Sequence, residues 1–143
     1  MNKLAGLAAT GAAVTAVLAG TAVPAAAATN PYTPQGVCGS GYSIIDHHVL
    51  SWGGTVYLLY NSGNGYNCVA TIKSAYVGTP TFTWASFDLS ESPFTTYQDQ
   101  DDYKYYAVAK GYARGYCIRW GGGTYASSSQ EGRWQSPSGT HCG

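Results

Sequence analysis

Apolar and polar residues alternate in short runs along this chain, and the runs are separated by glycine, asparagine and proline. The segments YSIIDHHVL (42–50), GTVYLLYN (54–61), NCVATIKSAY (67–76), TFTWASFDL (81–89), YKYYAVAKGY (103–112) and RGYCIRWGG (114–122) are rich in β-branched and aromatic residues. Between them lie turn-forming stretches such as Trp52-Gly53-Gly54, Asn61-Ser62-Gly63-Asn64-Gly65, Gly78-Thr79-Pro80 and Ser90-Glu91-Ser92-Pro93. Beyond residue 28 no apolar 3.6-residue period persists over ten residues. The pattern therefore predicts strands rather than helices. Stretch 56–73 reads as an antiparallel hairpin whose loop uses Gly and Asn for positive φ. In 67–76, Cys68, Ala70, Ile72 and Tyr76 share one face, and Val69, Thr71 and Lys73 the other. Around Cys117, the residues Tyr116, Ile118 and Trp120 share a face opposite Cys117 and Arg119. At least six short strands with regular turns predict an all-β fold, a small antiparallel β-sandwich or barrel-like domain. The Gly- and Ser-rich stretch 121–143 adds one or two edge strands.

The first 28 residues read differently. Lys3 precedes an apolar stretch of small residues that runs to about Val23, then Pro24 and Ala25–Ala28. This is the pattern of a cleaved Sec signal peptide, 1–28, with an Ala-x-Ala site before Thr29 or one residue earlier. It lacks the Leu and Ile content and the basic flank of a membrane anchor. The expectation is an exported protein with a single mature domain, 29–143, and no membrane segment in the mature form.

Charge narrows the partners. Six basic and seven acidic residues follow position 28, a net charge of −1 with histidines neutral. No basic field exists to attract nucleic acid or anionic lipid. All four cysteines, Cys38, Cys68, Cys117 and Cys142, also lie after position 28. An even count in a small exported domain predicts two disulfides. Three pairings are possible; the local one, Cys38–Cys68 with Cys117–Cys142, is preferred. Their spacing does not suit zinc, which favours cysteines two to four residues apart.

Four groups carry candidate chemistry. Asp46-His47-His48 looks like a metal or catalytic cluster, but alternation on a strand puts Asp46 and His48 on one face and His47 on the other. A site there needs His141 or a distant carboxylate. Without one, these residues decorate a strand. Asp99, Asp101 and Asp102 suggest calcium, yet the EF-hand register places Tyr103 and Lys110 where ligands belong. An acidic loop between strands is expected instead. Glu131, Arg133 and His141 are residue types that a small ribonuclease uses, without the basic surface RNA requires. Finally, four tryptophans and thirteen tyrosines exceed what a core this small needs. Trp84, Trp120 and Trp134 are candidates for an aromatic binding face, for instance on cell-wall carbohydrate. No catalytic, cofactor-binding or metal residues are expected.

The mature start NPYTPQGVCGSGYSIIDHHVL (30–50), the hairpin TVYLLYNSGNGYNCVATIK (55–73) and YYAVAKGYARGYCIRWGG (105–122) carry a resemblance over most of the mature chain, all four cysteines included. They resemble the spore-associated protein A family of streptomycetes and related actinobacteria. The two histidines depart from that pattern, and 79–102 matches it least. The resemblance implies a small exported protein found with spores or the aerial mycelium surface, and it brings no catalytic residues. The expected function is structural or binding, with cell-wall or spore-surface material as partner, and not enzymatic. Two alternatives stand beside it. One is an inhibitor of extracellular hydrolases that presents the loop Asn61–Asn67 beside Cys68. The other is a small hydrolase using His47, His48 or His141.

Overall fold

The alternating segments pair into two open four-stranded antiparallel sheets packed face to face. The computed structural model describes residues 28–92 and 94–143; the predicted signal segment, apart from Ala28, lies outside the described residues. A short helix, α1 (Pro34–Cys38), comes first, its N-terminus capped by the Thr33 hydroxyl, which accepts from Gly36 N at 3.1 Å. Proline at the first helical position fits the same end. The strands are β1 (Ser43–Val49), β2 (Gly54–Asn61), β3 (Tyr66–Lys73), β4 (Thr81–Leu89), β5 (Thr96–Tyr103), β6 (Tyr106–Tyr112), β7 (Ile118–Ser127) and β8 (Gln130–Gln135). The first sheet has the order β1-β2-β3-β6 and the second β5-β4-β7-β8. This is a small antiparallel β-sandwich, the first of the two architectures the pattern allows.

Its core lies between the sheets. Val56, Leu58 and Val69 from the first sheet meet Ala85, Phe87, Ile118 and Trp120 from the second, all at 1 % exposure or less. At Gly122 the two sheets leave no room for a side chain. A Cβ there would sit 2.0 Å from Thr71 Oγ1 and 2.8 Å from Val56 Cγ2. The Thr71 hydroxyl uses that space to donate to Trp84 O at 2.7 Å, a hydrogen bond between the two sheets.

The chain crosses between sheets after β3, β5 and β6. Lys73, the last residue of β3, fastens two of these corners. Its buried Nζ donates to Thr79 O and Tyr103 O, both at 2.8 Å. Burial lowers the Lys73 pKa, partly countered by the Asp102 charge.

Two disulfides complete the frame, Cys38–Cys68 and Cys117–Cys142. They are the local pairing of the three possible. The first pins α1 to the outer face of the first sheet, where Cys38, Leu59, Cys68 and Ala70 form a second apolar cluster. The second ties the C-terminal tail to the start of β7, beside the bridge pair Ile118–Thr140.

Two readings are corrected. The acidic stretch 97–103 is not a loop: it forms most of edge strand β5, paired along its length with β4. An edge rich in carboxylates resists pairing with a further chain, so charge there is compatible with a strand. The segment 103–112 is not one strand, because it turns at Lys104-Tyr105 and passes from one sheet to the other.

Candidate functional site

Each side of the sandwich, where strand edges face each other, is closed by polar side chains. On the side of β5 and β6, Asp99 bridges the two sheets. Its Oδ1 accepts from the Tyr103 hydroxyl at 2.5 Å and its Oδ2 from Val108 N at 2.8 Å. With both oxygens engaged in this way, Asp99 is a structural carboxylate. Asp101 accepts from Asp102 N at 2.8 Å, and Asp102 sits at the opposite strand parity, so the three carboxylates do not converge. The hydrogen bond to Asp99, then burial, then the charges of Asp99 and Asp101 push the Tyr103 pKa up to about 12. The folded chain thus holds this proton more tightly than the unfolded chain, whose phenol titrates near 10. The resulting stabilisation is complete below pH 10 and is lost as pH rises through about 12. Unfolding free energy measured across that window is expected to fall more steeply for wild type than for Tyr103→Phe.

On the side of β1 and β8, the Asp46-His47-His48 run is resolved by strand alternation. Asp46 and His48 point between the sheets, opposite Leu58 and Val56 in the register, whereas His47 lies outside, stacked on Tyr57 at 5.9 Å. His48 stacks on Trp134 at 4.3 Å with an interplanar angle of 10°. Asp46 Oδ2 meets His141 Nε2 at 2.9 Å, so the distant partner this run required comes from the tail. Side-chain exposures of 45 % and 29 % place the pair at the surface. A cavity of about 130 Å³ lies beside it, lined by Ile45, Tyr60, Asn67 and His141 among others. Among the described residues, no serine, threonine or cysteine hydrogen-bonds to this histidine, and no three of His, Cys, Asp and Glu gather as for a metal. The arrangement closes the sandwich edge: β1 is held to β8 and to the tail through its two inward polar side chains.

Glu131 and Arg133 pair with each other at 3.3 Å on β8, away from His141, so the three ribonuclease-type residues are not brought together. The loop between β2 and β3 is a compact turn. Asn61 O accepts from Gly65 N at 2.8 Å, and Asn61 Oδ1 from Gly63 N at 3.0 Å. The Arg114 guanidinium braces it through Ser62 O. A turn folded back on itself is not the extended strand that a hydrolase cleft accepts.

The three candidate tryptophans separate by face. Trp120 is corrected outright: at 1 % exposure it points inward from β7, edge-on to Trp134 at 4.8 Å, and belongs to the core. Trp134 is half-buried, pairs in register with inward Gly122, and lies between His48 and Trp120. Trp84 is the one of the three on the outer face of the second sheet. In register across that face, one row runs Asp102–Phe82–Tyr125–Glu131 and the next Gln100–Trp84–Gly123–Arg133. Phe82 and Tyr125 are 38 % and 43 % exposed. A Cβ on Gly123 would lie 2.4 Å from Trp84 Nε1, so the missing side chain lets the indole lie against the sheet. Two open depressions of about 410 Å³ each meet at Trp84 and Arg133, which line both. Sequence reading missed Phe82 and Tyr125: parity puts Phe82 on the face of Trp84 and Tyr125 on the face opposite Trp120, but the burial of Trp120 was needed to make both outward.

Fold and site together define a two-disulfide antiparallel sandwich, with α1 packed on part of one outer face and Phe82, Trp84 and Tyr125 grouped on the other. No family model and no solved structure matches the chain. It is 46 % identical over 110 residues to Spore-associated protein A of Streptomyces coelicolor, covering 76 % of this chain and 68 % of that protein. The chain belongs to the spore-associated protein A family.

Proposed function

We propose that this chain is exported and acts at the spore or cell surface as a structural or binding protein, not as an enzyme. The observation that carries this reading is its 46 % identity to a protein named for its association with spores. Two oxidised cysteine pairs suit export, since cytosolic thiols are kept reduced. No helix among the described residues is long and apolar enough to cross a membrane. In this reading residues 1–28 are removed as a signal peptide, 29–143 form the mature domain, and the partner is cell-wall or spore-surface material.

The test is fractionation of a sporulating actinobacterial culture that expresses the chain with a C-terminal tag. The tag is expected on washed spores and cell envelopes, on a protein whose N-terminus is Thr29 or its immediate neighbour. Recovery in the cytoplasm with the N-terminal segment intact would overturn the reading.

A further inference from the structure

The outer faces of the two sheets differ. On the first, α1 and its apolar cluster cover part of the surface, and the exposed Tyr66–Tyr112 pair lies at the end of β3 and β6. The second carries Phe82, Trp84 and Tyr125 on neighbouring positions, with two of them more than a third exposed. Phe82 and Trp84 lie two residues apart on one face of β4, roughly 6.6 Å along the strand. Phe82 and Tyr125 are direct cross-strand partners. Gly123 on β7 contributes no side chain, and the Trp84 indole lies over it, between β4 and Arg133 on β8, with an open trough along its flanks. The two depressions of about 410 Å³ each run into one another there.

The chemistry of this trough selects its occupant. Its apolar surface is aromatic, not aliphatic. Its rim is planar and polar, from Glu131, Arg133 and Gln135. Glu131 and Arg133 pair at 3.3 Å and Asp102 ends the same row, so the face carries no basic excess to attract a polyanion. A pyranose ring offers a complementary surface: C–H groups on its faces and hydroxyls around its edge. Flat aromatic faces take the first, and carboxylate, guanidinium and amide groups take the second. A protein partner would be expected to enclose its aromatic and arginine anchors in well-packed, desolvated pockets, whereas both depressions here are open. Both depressions are open, so a chain can extend past Trp84 in either direction.

From these features we infer that the outer face of β4, β7 and β8 binds an extended neutral polysaccharide, with Trp84 as its central stacking platform. Phe82 and Tyr125 form the next platform, and Glu131, Arg133 and Gln135 hold the hydroxyls. The inference rests on the surface-binding reading above and gives it a site and a ligand class.

The test is calorimetric titration of the oxidised mature chain with β-1,4-linked hexamers of glucose and of N-acetylglucosamine, and with the corresponding dimers. At least one hexamer is expected to bind saturably and more tightly than its dimer, with little change on adding salt. Trp84→Ala is expected to weaken binding roughly tenfold or more, as removal of a central aromatic anchor does. Tyr125→Ala and Arg133→Ala, at exposed positions that do not endanger folding, are expected to weaken it severalfold. Tyr112→Ala, on the other sheet, is expected to leave it unchanged. Absence of binding to both hexamers overturns the inference, as does equal loss with Tyr112→Ala. So does concentration-dependent self-association abolished by Trp84→Ala, which would assign the face to a second copy. If neither hexamer binds while the tagged chain still stays with washed spores, the glycan site falls and the surface-associated reading stands.

Discussion

Gly122→Ala is expected to destabilise the oxidised domain by about 3 kcal/mol, near the upper end for overpacking a core. The added methyl would meet Thr71 Oγ1 at 2.0 Å, Val56 Cγ2 at 2.8 Å and Trp84 O at 3.0 Å. None of these can swing away freely. Thr71 is fully buried and its hydroxyl is committed to Trp84 O. Val56 is fully buried between the sheets, and Trp84 O belongs to the backbone of β4. The sheets must therefore separate locally or the Thr71 hydroxyl must leave its acceptor, which strands a buried hydroxyl at about 1–3 kcal/mol. Urea denaturation of the two proteins gives the difference directly. Thr71→Ala, combined with Gly122→Ala, should cost less than the sum of the two single changes, because it vacates the space the methyl needs. Strict additivity would mean that the strain lies elsewhere.

Loss of the Cys117–Cys142 bridge, made as the double substitution to alanine, is expected to cost about 3–4 kcal/mol. The bridge spans 25 residues, and the freedom it removes from the unfolded chain grows only with the logarithm of that span. The structural consequence is local. The tail carries Thr140, which exchanges two backbone hydrogen bonds with Ile118, and His141, which reaches Asp46. Untied, it should loosen first and release the edge strand β1 on that side. Hydrogen exchange is then expected to quicken at Thr140 and Ile118 well before β3 and β4. The corresponding change at Cys38–Cys68, with a span of 30 residues, has a similar expected cost but loosens α1 instead.

Strand alternation made much of this fold legible. It put Asp46 and His48 on one face, and Val69, Thr71 and Lys73 together, and both groupings hold in the register. It could not say what those faces meet. The His141 partner of Asp46 lies 95 positions away, and long-range contacts such as the second disulfide and the Ile118–Thr140 bridge bring the tail there. Strand β5 escaped notice because its inward positions include Asp99 and Asp101 where apolar residues are expected. Asp99 is tolerated there because the Tyr103 hydroxyl and Val108 N satisfy it, and the latter belongs to a strand of the other sheet. The corner at Lys104-Tyr105 carries neither Gly nor Pro, so nothing local marked it.

The aromatic face was half legible for a related reason. Residue type singled out three tryptophans, but parity alone does not say which side of a strand is inside when both sides carry large residues. On β4 the inward Phe87 and the outward Trp84 are both aromatic. On β7 the neighbour of Ile118 on the same face is Trp120, and its company with an aliphatic residue is the cue that it belongs to the core.

Surface binding is tested most directly by retention of the oxidised mature domain on purified spores and cell walls over a range of protein concentrations, with Trp84→Ala beside wild type. Saturable retention of the wild type, largely lost in the variant, is the predicted result. A wild-type protein that stays in the supernatant at every concentration, or a variant retained as well as the wild type, would contradict a surface-binding domain whose site is the aromatic face of the second sheet.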